Sequence, residues 1–157
     1  MESNLTETPI LTFFGEMRFL SNFWECRFYY DNRWWSSSEA AYQAAKTLCE
    51  DTRDRMTLVS PGASKRLGQA LTLRPDWEEV KNDIMFDIVL AKFLQNPQLA
   101  VKLIATDGRH LEEGNTWNDR YWGVCPPGSG KGQNQLGIIL MRVRDILMNR
   151  PSGLITC

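Results

Sequence analysis

Between Pro75 and the Asn96-Pro97 pair the chain runs without a glycine or another proline, and its apolar residues recur at helical spacing. Pro75 and Asp76, with Glu79 three residues on, carry the signals of a helix start, and Asn96-Pro97 those of a stop. Trp77, Val80, Ile84, Ile88 and Ala91 make one stripe, and Met85, Val89 and Phe93 make another. A helix that is apolar along two stripes has to be largely buried. The spacing therefore predicts a long central helix with the remaining elements packed around it.

Local punctuation supplies those elements. Ser36-x-x-Glu39 has capping-box spacing ahead of a run of alanines with Tyr42 and Leu48, and Ser60-Pro61 opens a short helix carrying Ala63, Leu67 and Ala70. Pro97 to Ala105 reads as another helix that ends near Gly108, and Gly137 to Met148 as the last one before Pro151. Thr12 to Phe14 and Cys26 to Tyr30, the latter followed by Asp31-Asn32, read as short strands with a turn, because aromatics cluster there between turn formers. The expected fold is α+β and predominantly α-helical, one domain over residues 11–150 with a small β element near the amino end. A frayed leader over 1–10 and a tail over 151–157 flank it.

With 157 residues and 43% hydrophobic content the chain can bury one substantial core. Eighteen basic against nineteen acidic residues leave a formal charge of -1, so no general field attracts nucleic acid or an anionic membrane, and any anion site must be local. Cys26, Cys49, Cys125 and Cys157 lack C-x-x-C spacing and share the chain with one histidine, His110, a poor zinc set. They are expected to be free thiols in a cytoplasmic protein that needs no metal and no cofactor. No charged-then-apolar leader and no run near the ~20 apolar residues of a membrane helix are present, so secretion and membrane insertion are not expected. The Asn4-Leu5-Thr6 sequon is then incidental.

Two polar clusters stand out from this background. One joins Gly114-Asn115-Thr116-Trp117-Asn118-Asp119-Arg120-Tyr121-Trp122-Gly123 to Gly130-Lys131-Gly132-Gln133-Asn134-Gln135-Leu136-Gly137. Glycines let backbone approach a ligand closely, and the loop leads into a helix whose first amides can hold an anion; the alternative is a surface turn with two structural tryptophans. In the other, Glu39, Tyr42, Gln43 and Lys46 lie at i, i+3, i+4 and i+7 of a helix, one stripe of acid, phenol, amide and amine between alanines. Glu39 could instead serve only as the capping-box partner of Ser36, and Lys46 could be a snorkelling lysine.

Phe19-Leu20-Ser21-Asn22-Phe23, Ser38-Glu39-x-x-Tyr42-Gln43-Ala44-x-Lys46, Ala63-x-Lys65-Arg66-Leu67-Gly68, Asp76-Trp77-x-x-Val80-Lys81, Lys92-Phe93 with Asn96-Pro97, Asn118-Asp119-x-x-Trp122-Gly123 and Gly130-x-Gly132-x-Asn134-x-Leu136-Gly137-x-x-Leu140-Met141 occur in this order. Together they resemble the NADAR, or YbiA-like, family from about Leu11 to Leu147. The resemblance implies an N-glycosidase that hydrolyses phosphorylated ribosylamino-pyrimidine intermediates of riboflavin synthesis or removes ADP-ribose from guanine, guanine in nucleic acid included. It places Glu39, Lys46 and the Asn118-Asp119 pair at the active centre. Ser21, Asn22 and Phe23, Tyr42 and Gln43, and Gly123, Gly132 and Asn134 are motif positions expected to contact substrate. The position after the motif glutamate is often histidine in the family and is Ala40 here, so proton transfer falls to carboxylates and amines.

Both substrate classes carry ribose on an exocyclic amine, an aminal that can leave through a ring-opened imine or an oxocarbenium ion. Glu39, desolvated by alanines and indoles, would protonate the leaving nitrogen or the ribose oxygen. Lys46 would attack C1′ of the opened sugar as a Schiff-base nucleophile, the preferred route; Asp119 or Glu39 activating water is the other. Trp117 and Trp122 offer faces for a base, whereas Trp34 and Trp35 read as core. Arg18, Lys65, Arg66 and Lys131 would hold phosphates, Lys131 being the best placed, although Lys65-Arg66 also suits plain helix surface. Gly130-Lys131-Gly132 lacks the Ser or Thr of a Walker loop. A non-catalytic module that binds ADP-ribose or a related nucleotide, and a purely structural protein, are the other readings; the joint presence of Glu39 and Lys46 argues against the first, and the glycine loop with the Asp119-x-x-Trp122-Gly123 run against the second.

Overall fold

The computed structural model describes residues 8–150. The described residues form two compact units: Asn22–Asn96, and residues 8–21 together with 97–150. The leader and tail expected at 1–10 and 151–157 lie mostly outside the described residues, as do Cys157 and the Asn4 sequon.

The Asn22–Asn96 unit opens with an antiparallel hairpin, β1 (Glu25–Tyr30) and β2 (Arg33–Ser37). Asp31 and Asn32 sit between them with φ of 55° and 58°. A two-residue turn with both residues left-handed matches the natural twist of paired strands, and Asp and Asn tolerate that region better than most residues. Phe28 and Trp35 face each other across the ladder and are buried, which for Phe28 is worth roughly 1.5 to 3 kcal/mol. The Trp35 indole N–H also donates to the Tyr30 carbonyl at 2.8 Å. Trp34, by contrast, is exposed, with Tyr29 edge-on to it and the Arg27 guanidinium over its ring. Of the tryptophan pair, only Trp35 is core.

β2 passes directly into α1 (Ser38–Ala44), followed by α2 (Glu50–Met56), α3 (Pro61–Ala70) and α4 (Trp77–Gln95). Every residue of α1 is buried, polar ones included, because Ala40, Ala41 and Ala44 let neighbours close in around it. This short helix is the enclosed centre of its unit. α4, expected to be largely buried, buries Trp77, Met85, Ile88, Val89, Lys92 and Phe93, while Val80, Ile84 and Ala91 are only half-buried.

In the other unit a 3₁₀ helix (Gly15–Leu20) buries Phe19 and Leu20, and α5 (Pro97–Ile104) and α6 (Gln135–Met148) carry the regular structure. Leu99, Ala100 and Leu103 of α5 are buried, as are Leu136, Ile139, Leu140, Val143 and Leu147 of α6. The buried Arg144 guanidinium donates to the carbonyls of Thr106 and Arg109, each at 2.8 Å, and so satisfies acceptors just past the end of α5.

Several expectations are corrected. Thr12 to Phe14 is not a strand; extended pairing there is limited to the bridge Ile10↔Leu111. Ser36 and Ser37 belong to β2, so Ser36 cannot cap α1: Ser37 does, its hydroxyl accepting from the Ala40 amide at 3.1 Å. The helix ends at Ala44, which leaves Leu48 exposed in a loop. α2 was not foreseen, although acids at Glu50 and Asp51 and bases at Arg53 and Arg55 complement a helix dipole at both ends. α3 does begin at Pro61 with Ser60 as its cap, but it buries Pro61, Ser64 and Gly68, not Ala63, Leu67 and Ala70. Asp76 makes no cap bond to α4, its carboxylate being held by Arg74 at 2.6 Å. α6 starts two residues earlier than expected.

Candidate active site

Within the Asn22–Asn96 unit, α1 is fixed at its first turn by Asn22. The Asn22 carbonyl accepts the Glu39 amide at 3.0 Å, its Oδ1 accepts the Ser38 hydroxyl at 2.9 Å, and its Nδ2 reaches the Met85 sulfur on α4 at 3.5 Å. One side chain thus ties the helix start to α4 and sets where Glu39 can point. Asn22, expected to contact substrate, has its side-chain oxygen on Ser38 and its amide nitrogen on Met85 in this structure. Ser38, given no role from the sequence, is its partner.

Glu39 and Gln43 are one turn apart, both buried, and Gln43 Nε2 donates to Glu39 Oε1 at 2.8 Å. Tyr42 packs its ring against Trp77, with centroids 5.3 Å apart.

Lys46 is not on the α1 stripe, because the helix has already ended; it lies in the following turn. Its amide donates to Gln43 O and its carbonyl accepts from the Arg74 amide at 2.7 Å, so the backbone is held on both sides. The Lys46 ammonium lies over the Tyr42 ring, 5.5 Å from its centroid. Burial pushes this group below the ordinary lysine range, the nearby Glu39 carboxylate opposes the shift, and Lys65 adds to it. Lys65 in turn lies over the Phe23 ring, whereas Arg66 next to it is exposed. Asn22, Phe23, Glu39, Tyr42, Gln43, Lys46 and Lys65 therefore belong to one constellation. It combines a buried carboxylate, an amine that burial holds below the ordinary lysine range, and a second cation.

The other unit treats its motif residues differently. Asp119 Oδ1 accepts the amides of Tyr121 and Trp122, at 3.1 and 2.9 Å, so one carboxylate oxygen closes a turn. Buried Asn115 braces the same turn, bonding the Asp119 amide at 3.0 Å and the Asp119 carbonyl at 2.7 Å. Asn118 has a φ of 65°, a left-handed position that asparagine tolerates.

The glycines expected to face a ligand face backbone instead. A Cβ on Gly123 would lie 2.1 Å from Glu113 O, on Gly132 2.2 Å from Gly123 O, and on Gly137 2.2 Å from Leu111 O. Asn134, left-handed at the start of α6, donates to Leu111 O and accepts from the Glu113 amide. The anion site expected from the first amides of α6 does not form from them. The amides of Gln133, Asn134, Gln135 and Leu136 donate to the carbonyls of Arg120, Gly123, Tyr121 and Trp122. Trp117, Lys131 and Arg18 are exposed, Trp122 is half-buried with Tyr121 edge-on to it, and Ser21 closes the 3₁₀ helix by donating its amide to Arg18 O. His110, which belongs to no motif, pairs with Glu112 at 2.9 Å.

Among the described residues no group of His, Cys, Asp and Glu could hold a metal ion, and no helix is long and apolar enough to cross a membrane. Cys26, Cys49 and Cys125 are free thiols.

Comparison with known proteins agrees with this arrangement of motifs. The sequence matches the NADAR domain over residues 12–148. It is 42% identical over 120 residues to the N-glycosidase YbiA of Shigella sonnei, covering 74% of this chain and 73% of that protein. It is 36% identical over 152 residues to a riboflavin biosynthesis protein of Vibrio vulnificus, covering 94% of this chain and 41% of that longer one. The fold resembles the NMR structure of the Escherichia coli protein YbiA with a TM-score of 0.79 at 36% identity, over 90% of this chain and 86% of the other.

Proposed function

Because the chain belongs to the NADAR domain family, we propose that it is an N-glycosidase, a hydrolase of N-glycosyl bonds, whose substrate is a phosphorylated nucleotide with ribose on an exocyclic amine. Two substrates have that linkage: ADP-ribose attached to guanine, and the ribosylamino-pyrimidine intermediates of riboflavin synthesis. The observation that carries the reading is the placement of Lys46. A half-buried amine whose proton is loosened by burial and by Lys65 sits close enough to the enclosed Glu39 carboxylate to feel its charge.

The chemistry follows from those two groups. Glu39 delivers a proton to the ribose ring oxygen, the C1′–O4′ bond breaks, and the nitrogen lone pair forms an imine at C1′. Neutral Lys46 adds its amine to C1′; a proton passes to the exocyclic nitrogen, and that C1′–N bond breaks to release the free base. Water then adds to the lysine Schiff base, returning the amine and an open sugar that closes again. Lys65 is suited to hold a phosphate, and Tyr42 and Phe23 supply apolar flanks that keep water from competing.

The test is release of free base from purified protein, followed by chromatography, with ADP-ribosylated guanosine and the phosphorylated ribosylamino-pyrimidine in parallel. Release from either substrate, abolished in Glu39→Gln, is the expected result and identifies the substrate class. Tight binding of ADP-ribose without release from either would instead leave a nucleotide-binding module.

A further inference from the structure

The Gln43 amide is satisfied on one side only. Its Nε2 donates to Glu39, while its Oε1 is buried with no hydrogen-bond partner among the described residues. A buried carbonyl oxygen without a donor is unfavourable, so the orientation of this amide is set by something other than its own needs. With Nε2 donating to Glu39 Oε1, the amide oxygen Oε1 is turned the other way.

That other way is α3. A Cβ built on Gly68 would stand 1.8 Å from Gln43 Oε1 and 2.7 Å from its amide carbon. Gly68 is buried inside α3, and its φ is outside the left-handed region, so the helix itself does not require glycine there. Glycine within a helix weakens it relative to alanine. The reason for this glycine is on the facing helix, in the space the Gln43 amide fills.

We propose that Gly68 and Gln43 are positioning residues for Glu39: the missing side chain on α3 makes room for the amide that presents its N–H to the carboxylate. The pair fixes the carboxylate's rotamer and its readiness to give and take a proton. This rests on the reading of Glu39 as the proton-transfer group, and the tests separate the two.

The direct measurement is an NMR titration of the Glu39 carboxyl carbon, assigned by its loss in Glu39→Gln, in the wild type, Gly68→Ala, Gln43→Ala and the double variant. Losing a donor makes a carboxylate easier to protonate, so the midpoint should rise by about one pH unit in both single variants, and the double variant should match Gln43→Ala. In kinetics on whichever of the two nucleotides is hydrolysed, both single variants should lose about tenfold in kcat with KM nearly unchanged. Where Gly68→Ala fails to fold, the double variant should fold, since removing the amide removes the collision. An unchanged Glu39 midpoint in Gln43→Ala, or a double variant that unfolds as readily as Gly68→Ala, overturns the proposal. A shifted midpoint with no base release from either nucleotide overturns the catalytic reading and leaves the positioning pair standing.

Discussion

At Lys46 burial and charge oppose each other, and the opposition has a measurable sign. The folded-state value lies below the ordinary lysine range, so the unfolded chain binds more protons between the two, and stability rises with pH across that window. Below it, the charged amine costs the fold stability. Lys46→Met should therefore unfold at a higher temperature than the wild type, by roughly 1 to 4 °C at pH 7 for a half-exposed group, with the advantage shrinking as pH climbs toward the ordinary lysine range. A difference that does not change with pH, followed by scanning calorimetry, would mean that the amine is fully solvated. Residue types at this site could be read from the sequence, since Glu39, Gln43 and Lys46 are spaced too regularly for a solvated surface. The roles of their neighbours could not. Asn22 tying α1 to Met85, and Gly68 leaving room for Gln43, are relations between segments that no local pattern records.

At the scale of elements, α1 shows why a spacing rule can be right in kind and wrong in register. Three consecutive serines precede Glu39, and a capping box fits the first; the hairpin claims Ser36 and Ser37 for β2 and leaves Ser37 as the residue at the helix entrance. Ser37→Ala should then cost about 1 kcal/mol in denaturant unfolding, while Ser36→Ala should stay within about 0.5 kcal/mol. Equal losses would restore the capping box. The long helix α4 was legible because proline and helical periodicity agree over many residues. α2 has only seven residues and one buried position, Met56, so it carries no apolar period, and only its end charges mark it. The glycine-rich segment signalled close approach correctly, yet glycine cannot say what approaches. At Gly123, Gly132 and Gly137 it is the chain's own backbone.

For the molecule as a whole, the predominance of helix with a small amino-terminal β element follows from those periodicities and from the aromatic hairpin, and the fold is shared with YbiA. A formal charge near zero leaves any anion recognition to local groups. We infer that this family member cleaves its N-glycosyl bond through Lys46. Borohydride added during turnover should reduce the Schiff base and leave the sugar phosphate on the protein, with mass spectrometry placing it on Lys46. Lys46→Arg keeps the charge and removes the nucleophile, so its rate should fall on the order of 10²-fold, about 2.7 kcal/mol of barrier. No trapped adduct, with most of the rate retained in Lys46→Arg, would contradict the account and leave a carboxylate-activated water as the attacking group.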